Sequence, residues 1–166
     1  IMEAGNTVIG AVRDAAVLAF VAIAVLMWAL LRSVRDALFV FAPLVVAAVL
    51  TVAASVLLQL PFNFANVIVL PLLFGLGVAN GVHLVARARE GSVAGAVMGT
   101  STPRAVVFSA LTTVGSFGSI ALSSHPGTAG MGVLLTISIG FTLVASLTVL
   151  PALIRLTWDG GKTAPR

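Results

Sequence analysis

The sequence has no cysteine, which removes disulfides and thiolate metal ligands from consideration. It is short of charge as well. Charged residues make up 8 % of its 166 positions, where a soluble domain carries about a quarter. Water is therefore not its main solvent. No pair of carboxylates, no Ser–His–Asp set and no metal-spaced cluster can be assembled from so few polar groups, so an enzyme or a cofactor has no residues to stand on. The net charge of +4 does not point to nucleic acid, because the basic residues are scattered two or three to a connection rather than gathered in a patch.

What remains when the charges are crossed out is long apolar sequence, 60 % hydrophobic overall. Five runs stand out: Ala15 to Leu31, Ala37 to Leu60, Phe64 to Ala86, Ala105 to Leu122 and Ala129 to Ile154. None contains Asp, Glu, Lys or Arg. Each is near the length of about 20 residues that a helix needs to cross hydrocarbon. None shows the alternation of a barrel strand. The expected fold is all-α: a polytopic membrane bundle of five transmembrane helices over residues 15–156. Residues 1–14 read as the last helical turns of an external domain, and 157–166 as a tail. A first residue of Ile1 and the lack of a signal peptide suggest a piece of a longer chain.

The joints carry helix punctuation. Residues Arg32 to Asp36 make a tight polar turn, and Pro61 breaks the second span, with Asn63 or Asn66 available to cap the third. Thr102 is placed as N-cap of the fourth span with Pro103 at its first helical position. Ser123 to Gly130 form a short turn, while Pro43, Pro71 and Pro151 fall near span ends. Alternate connections hold Arg32 and Arg35; Arg87, Arg89 and Arg104; and Arg155, Lys162 and Arg166. These are eight of the nine basic residues, and Arg13 is the exception. By the positive-inside rule the eight are cytoplasmic, the N-terminus is outside and the C-terminus inside. His83 and His125 then lie on opposite sides and cannot share a site.

The stretch "PLLFGLGVANGVHLVARAREG" puts polar and minimal residues into the third span. Gly77 and Gly81 form a GxxxG pair and Gly75 adds another gap, a pattern that admits close helix packing. Asn80 and His83 sit about 60° apart, one turn from each other. Intramembrane polar groups face a bundle interior or a wet path. In the fourth span Ser109, Thr112, Thr113, Ser116 and Ser119 recur every three or four residues as a hydroxyl stripe. Back-bonding to carbonyls four residues earlier is the ordinary use of each one singly. Five on one face suggest instead a polar seam opposite Asn80 and His83.

These motifs resemble those of resistance–nodulation–division (RND) transporters. "GLGVANGVHLVARARE" is similar to the helix signature G-x-G-x-D-Y-x-I-H-L-x-x-R-x-R-E. "STPRAVVFSALTTVGSFGSIALSSHPGTAGMGVLL" resembles the following helix pair, and "LTVLPALI" the closing phrase. The likeness runs from about Arg13 to Ile154. Within the superfamily, "LPFNFANVIVLPLLFGLGVANGVHL" with "SSHPGTAGMG" looks most like the hopanoid-biosynthesis-associated branch, which is related to the MMPL lipid exporters and to sterol-sensing-domain proteins.

The resemblance implies the last five helices of a twelve-helix transporter of the bacterial inner membrane, part of an RND/MMPL six-helix repeat. Its implied partners are a hopanoid or related lipid moved toward the outer membrane, protons, and the rest of the transporter, with a homodimer left open. One departure stands out. Ala79 occupies the place of the family's proton-relay Asp, and Asn80 that of its Tyr. Either the relay lies in the absent first half, the favoured reading, or His83 substitutes, or transport is not proton-driven. The family's threonine pair falls on Thr112 and Thr113. Alternatives from other classes are a SecD/SecF-type protein-translocation factor, whose G-x-x-V-D-A-N run Gly77 to Asn80 lacks in its Asp, and a sterol-sensing regulator.

Overall fold

The computed structural model describes residues 2–60, 68–90 and 98–158. The described residues run as five α-helices: α1 (Met2–Leu31), α2 (Val34–Leu57), α3 (Val69–Glu90), α4 (Ser101–Ile120) and α5 (Pro126–Trp158). No strand occurs among the described residues. The fold is an all-helical membrane bundle. α2, α3 and α5 are each long and apolar enough to cross a bilayer. α4 is diluted by seven Ser and Thr residues and two Gly, and the described apolar run in α1, Phe20–Ala29, is shorter.

The bundle is apolar on the outside. Val45, Val49, Val52 and Val56 of α2 point away from the other helices, as do Phe108 and Leu111 of α4 and Val144 of α5. In water such a surface is an aggregation hazard; against lipid tails it costs nothing. α1 and α5 have 30 and 33 residues, hence lengths of about 45 and 50 Å, well beyond a hydrocarbon core of about 30 Å. Both helices therefore extend past it.

Three layers of core run from one end of the bundle to the other. At the arginine-bearing end, Met27 and Leu31 of α1 meet Val40 and Leu44 of α2, Leu84 and Val85 of α3, Val106 of α4, and Leu150 and Ile154 of α5. The middle layer joins Ala47, Leu73 and Ala145. At the far end Val69 packs with Leu134 and Leu135, beside Leu60 and Phe117. α5 is the central helix, contacting α2, α3 and α4, and α4 leans on α5 far more than on α3. Phe20 holds α1 in place through its ring, 5.6 Å from Phe41 and 5.9 Å from Phe74.

The helix ends differ from the sequence expectation in several places. α2 starts at Val34, so the joint after α1 is Arg32 and Ser33 alone, and Arg35 and Asp36 belong to the helix rather than to the turn before it. α4 starts at Ser101 after Thr100, which gives no side-chain cap. Thr102 is therefore inside the helix rather than its cap, and Pro103 is the third residue. The proline fits there for the same reason as at the first position, since the first four N–H groups have no partner within the helix. α5 starts at Pro126, three residues before Ala129, with the proline leading the helix. Pro43 lies ten residues into α2, not near its end. The proposed caps Asn63 and Asn66 lie outside the described residues, as do residues 159–166 of the tail.

Among the described residues two non-glycines take left-handed backbone angles, Arg32 (φ 47°) and Gln59 (φ 53°). Each terminates a helix. After α2 the amide of Leu60 reaches back to the Ser55 carbonyl and that of Gln59 to Val56, a tight reversal that satisfies carbonyls the helix leaves open.

Candidate functional site

The glycines of α3 divide by face. Gly77 and Gly81 are buried. A Cβ on Gly77 would lie 2.7 Å from Thr142 Cγ2, and one on Gly81 would lie 2.5 Å from Val40 Cγ1. α2 and α5 thus approach α3 closely through these two positions. Gly75 does not share that role within the chain. It is exposed, and nothing lies within 4 Å of where its Cβ would be.

Gly75 belongs to an open face that also carries Leu76, Ala79, His83 and Ala86, all exposed at the surface of the bundle. Asn80 is half-buried at the edge of that face. Among the described residues neither the Asn80 nor the His83 side chain forms a hydrogen bond.

On α4 the side chains of Pro103, Val106 and Ala110 turn inward, and Ser109, Thr112 and Ser116 turn outward, with Thr113 half-buried. Each hydroxyl that bonds does so locally. Thr112 Oγ1 donates to the carbonyls of Phe108 (2.7 Å) and Ser109 (2.9 Å), and Thr113 Oγ1 to that of Ser109 (2.8 Å). Ser116 Oγ donates to Thr112 (3.0 Å), and Ser119 Oγ to Ser116 (2.6 Å). The protons are thus spent on α4's own backbone, while the oxygens keep lone pairs that can accept from a donor. No bond joins the stripe to Asn80 or His83 among the described residues. His83, Ser109, Thr112 and Ser116 have in common that this chain leaves them exposed.

Two polar features were not singled out by the sequence pattern. One is a set of buried hydroxyls on α2 and α5: Thr51, Ser55, Ser138, Thr142 and Ser146. Thr51 bonds to the Ala47 carbonyl, Ser138 to Leu135 and Thr142 to Ser138. Ser146 Oγ, fully buried, has no partner among the described residues. The four-residue spacing of Ser138, Thr142 and Ser146 is the same signal as the α4 stripe.

The other feature is ionic. Arg89, near the end of α3, donates through Nε to Asp36 Oδ2 at 2.7 Å, and its Nη2 binds the same oxygen and the Leu31 carbonyl. Asp36 is 5 % exposed, and its amide is held by the Ser33 hydroxyl that caps α2. The signal in the sequence was an acid in the first turn of a helix within an otherwise basic group of loops. The neighbouring Arg87–Glu90 pair (2.6 Å) is exposed, and such pairs contribute little.

Among the described residues no three His, Asp or Glu side chains gather as metal ligands. The chemistry this surface offers is recognition of weakly polar groups and helix-to-helix contact within a membrane.

The comparisons agree with an assembly of this kind. The chain is 43 % identical over 154 residues to the hopanoid transporter HpnN of Rhodopseudomonas palustris, and 40 % identical over 154 residues to HpnN of Burkholderia multivorans. Each alignment covers 93 % of this chain but only 18 % and 17 % of the respective relative. Residues 7–165 match the MMPL family. With almost the whole sequence inside that match and a helical membrane bundle to go with it, the chain belongs to the MMPL family.

Proposed function

We propose that this chain is the closing transmembrane segment of an RND-type lipid transporter in the bacterial inner membrane, and that the cargo is a hopanoid or a closely related lipid moved toward the outer membrane. The observation that carries the reading is the 43 % and 40 % identity to two hopanoid transporters over 93 % of the chain. In this reading the arginine-bearing end faces the cytoplasm and the start of α1 faces the periplasm, as the distribution of basic residues favours.

The open faces give the chain its part in transport. His83 on α3, and Ser109, Thr112 and Ser116 on α4, are polar groups that this bundle leaves exposed, with Asn80 and Thr113 half-buried beside them. Lipid is a poor neighbour for them. The remainder of the transporter covers them and completes a polar seam, with Gly75 providing the close approach on that side. Ala79 cannot bind and release a proton. The acidic proton relay therefore lies in the part of the protein outside this chain, and the proton-motive force drives export through it.

The test is reconstitution of the complete transporter between hopanoid-bearing donor vesicles and empty acceptor vesicles, with and without a proton gradient. Hopanoid transfer that rises with the gradient is the expected result. Transfer indifferent to the gradient rejects proton coupling, and no transfer of any hopanoid rejects the cargo.

A further inference from the structure

Arg89 sits where three helix ends meet. α1 stops at Leu31 because Arg32 adopts a left-handed conformation, which leaves the Leu31 carbonyl pointing out of the helix at the partially negative end of α1. α2 begins at Val34, with Asp36 in its first turn at the partially positive end. The guanidinium occupies the space between. It donates to the Leu31 carbonyl and, through two nitrogens, to Asp36 Oδ2.

α1 and α2 are joined by two residues, Arg32 and Ser33, and move together of necessity. The end of α3 has no such covalent tie, since more than fifty residues separate Arg89 from Asp36. Arg89–Asp36 joins different helices, whereas Arg87–Glu90 lies within α3.

From this geometry we propose that Arg89 is a positioning residue, a clasp that makes the arginine-bearing ends of α1, α2 and α3 move as one unit and so fixes the helix that carries Asn80 and His83. The clasp depends on more than opposite charges. A lysine carries its three N–H donors on a single nitrogen and cannot present two nitrogens of a rigid plane to the carboxylate while reaching the carbonyl. Exchanging the two residues fails more completely. The change Asp36→Arg puts a cation at the positive end of α2. The change Arg89→Asp leaves the Leu31 carbonyl without its donor, since the short carboxylate neither reaches it nor has an N–H to give.

The experiment uses the full-length transporter in lipid nanodiscs, with hydrogen–deuterium exchange as the readout. In Arg89→Gln, exchange at residues 31–37 and 84–90 rises roughly tenfold, while residues 118–132 at the opposite end stay as in the wild type. Arg89→Lys gives an intermediate rise. The double variant Asp36→Arg with Arg89→Asp is as mobile as Arg89→Gln. Wild-type exchange in Arg89→Gln overturns the clasp, and so does restoration by the charge exchange, which would reduce it to a plain ion pair. Should Arg89→Gln fail to accumulate, Asp36→Asn, which keeps the side-chain shape, is read against the same outcomes. Lipid transfer by Arg89→Lys is expected to fall several-fold, and this arm alone rests on the proposed transport. A protein that moves no lipid even as wild type would defeat that function and leave the exchange result standing.

Discussion

Gly81 and Val40 meet face to face across the α3–α2 contact, with only 2.5 Å between Val40 Cγ1 and the place a Cβ would take at position 81. Valine is stiff at χ1 and cannot swing aside without a backbone shift. Gly81→Ala should therefore lower stability by about 1–3 kcal/mol, despite the better helix propensity of alanine. Val40→Ala in the same chain should recover most of the loss. Thermal midpoints of the purified transporter in detergent, measured as a double-mutant cycle, check this, and simple additivity would count against direct contact.

Gly132 is a harsher case. Its Cβ would meet backbone rather than a side chain, 2.8 Å from the Ile120 carbonyl carbon and 2.9 Å from Ala121 Cα. No rotamer relieves that. Gly132→Ala should cost more than Gly81→Ala and should loosen the α4–α5 hairpin first, seen as early proteolysis within residues 120–130.

Gly75 and the threonine pair are expected to behave in the opposite way. Gly75→Ala meets nothing in this bundle, so the five helices should keep their stability or gain about 0.5–1 kcal/mol. Thr112→Val with Thr113→Val removes back-bonded hydroxyls at small cost in folding. If the rest of the transporter lies against these positions, both variants insert normally and transfer lipid several-fold more slowly. Wild-type transfer in both would remove this surface from the mechanism.

Gln59 ends α2 with φ 53°, a conformation that costs a side-chain-bearing residue roughly 1 kcal/mol relative to glycine. Gln59→Gly should accordingly stabilise the protein by about 0.5–1 kcal/mol, read as a small rise in thermal midpoint. Gln59→Val, branched at Cβ, should lower it.

The absence of cysteine makes orientation easy to test. Ser101→Cys lies at the arginine-bearing end and Ser124→Cys in the turn at the other. In intact cells a membrane-impermeant thiol reagent should label the Ser124→Cys variant and leave Ser101→Cys unreacted until the membrane is opened. The reverse pattern would invert the topology.

The helical character of the chain and its family were legible in the residues. Uncharged runs of about 20 residues leave few alternatives, because a backbone in hydrocarbon must satisfy its own hydrogen bonds. Packing at Gly77 and Gly81 could be read from their spacing, although the spacing did not separate them from Gly75. The helix starts at Ser101 and Pro126 were missed by a few residues, because proline is accepted at several positions of a first turn.

Sequence by itself determined a helical membrane bundle of the MMPL family and the end at which its arginines gather. Only the tertiary structure decided which polar groups are inside. It buried Thr51, Ser138, Thr142 and Ser146 and left the equally regular Ser109, Thr112 and Ser116 at the surface. It also drew Arg89 and Asp36 together across more than fifty residues. The reason is physical. In water, burial sorts residues by polarity, so a helix advertises its inner face; in a membrane, interior and surroundings are both apolar, and the inner face is chosen by shape and hydrogen bonding between helices, which no single helix reveals.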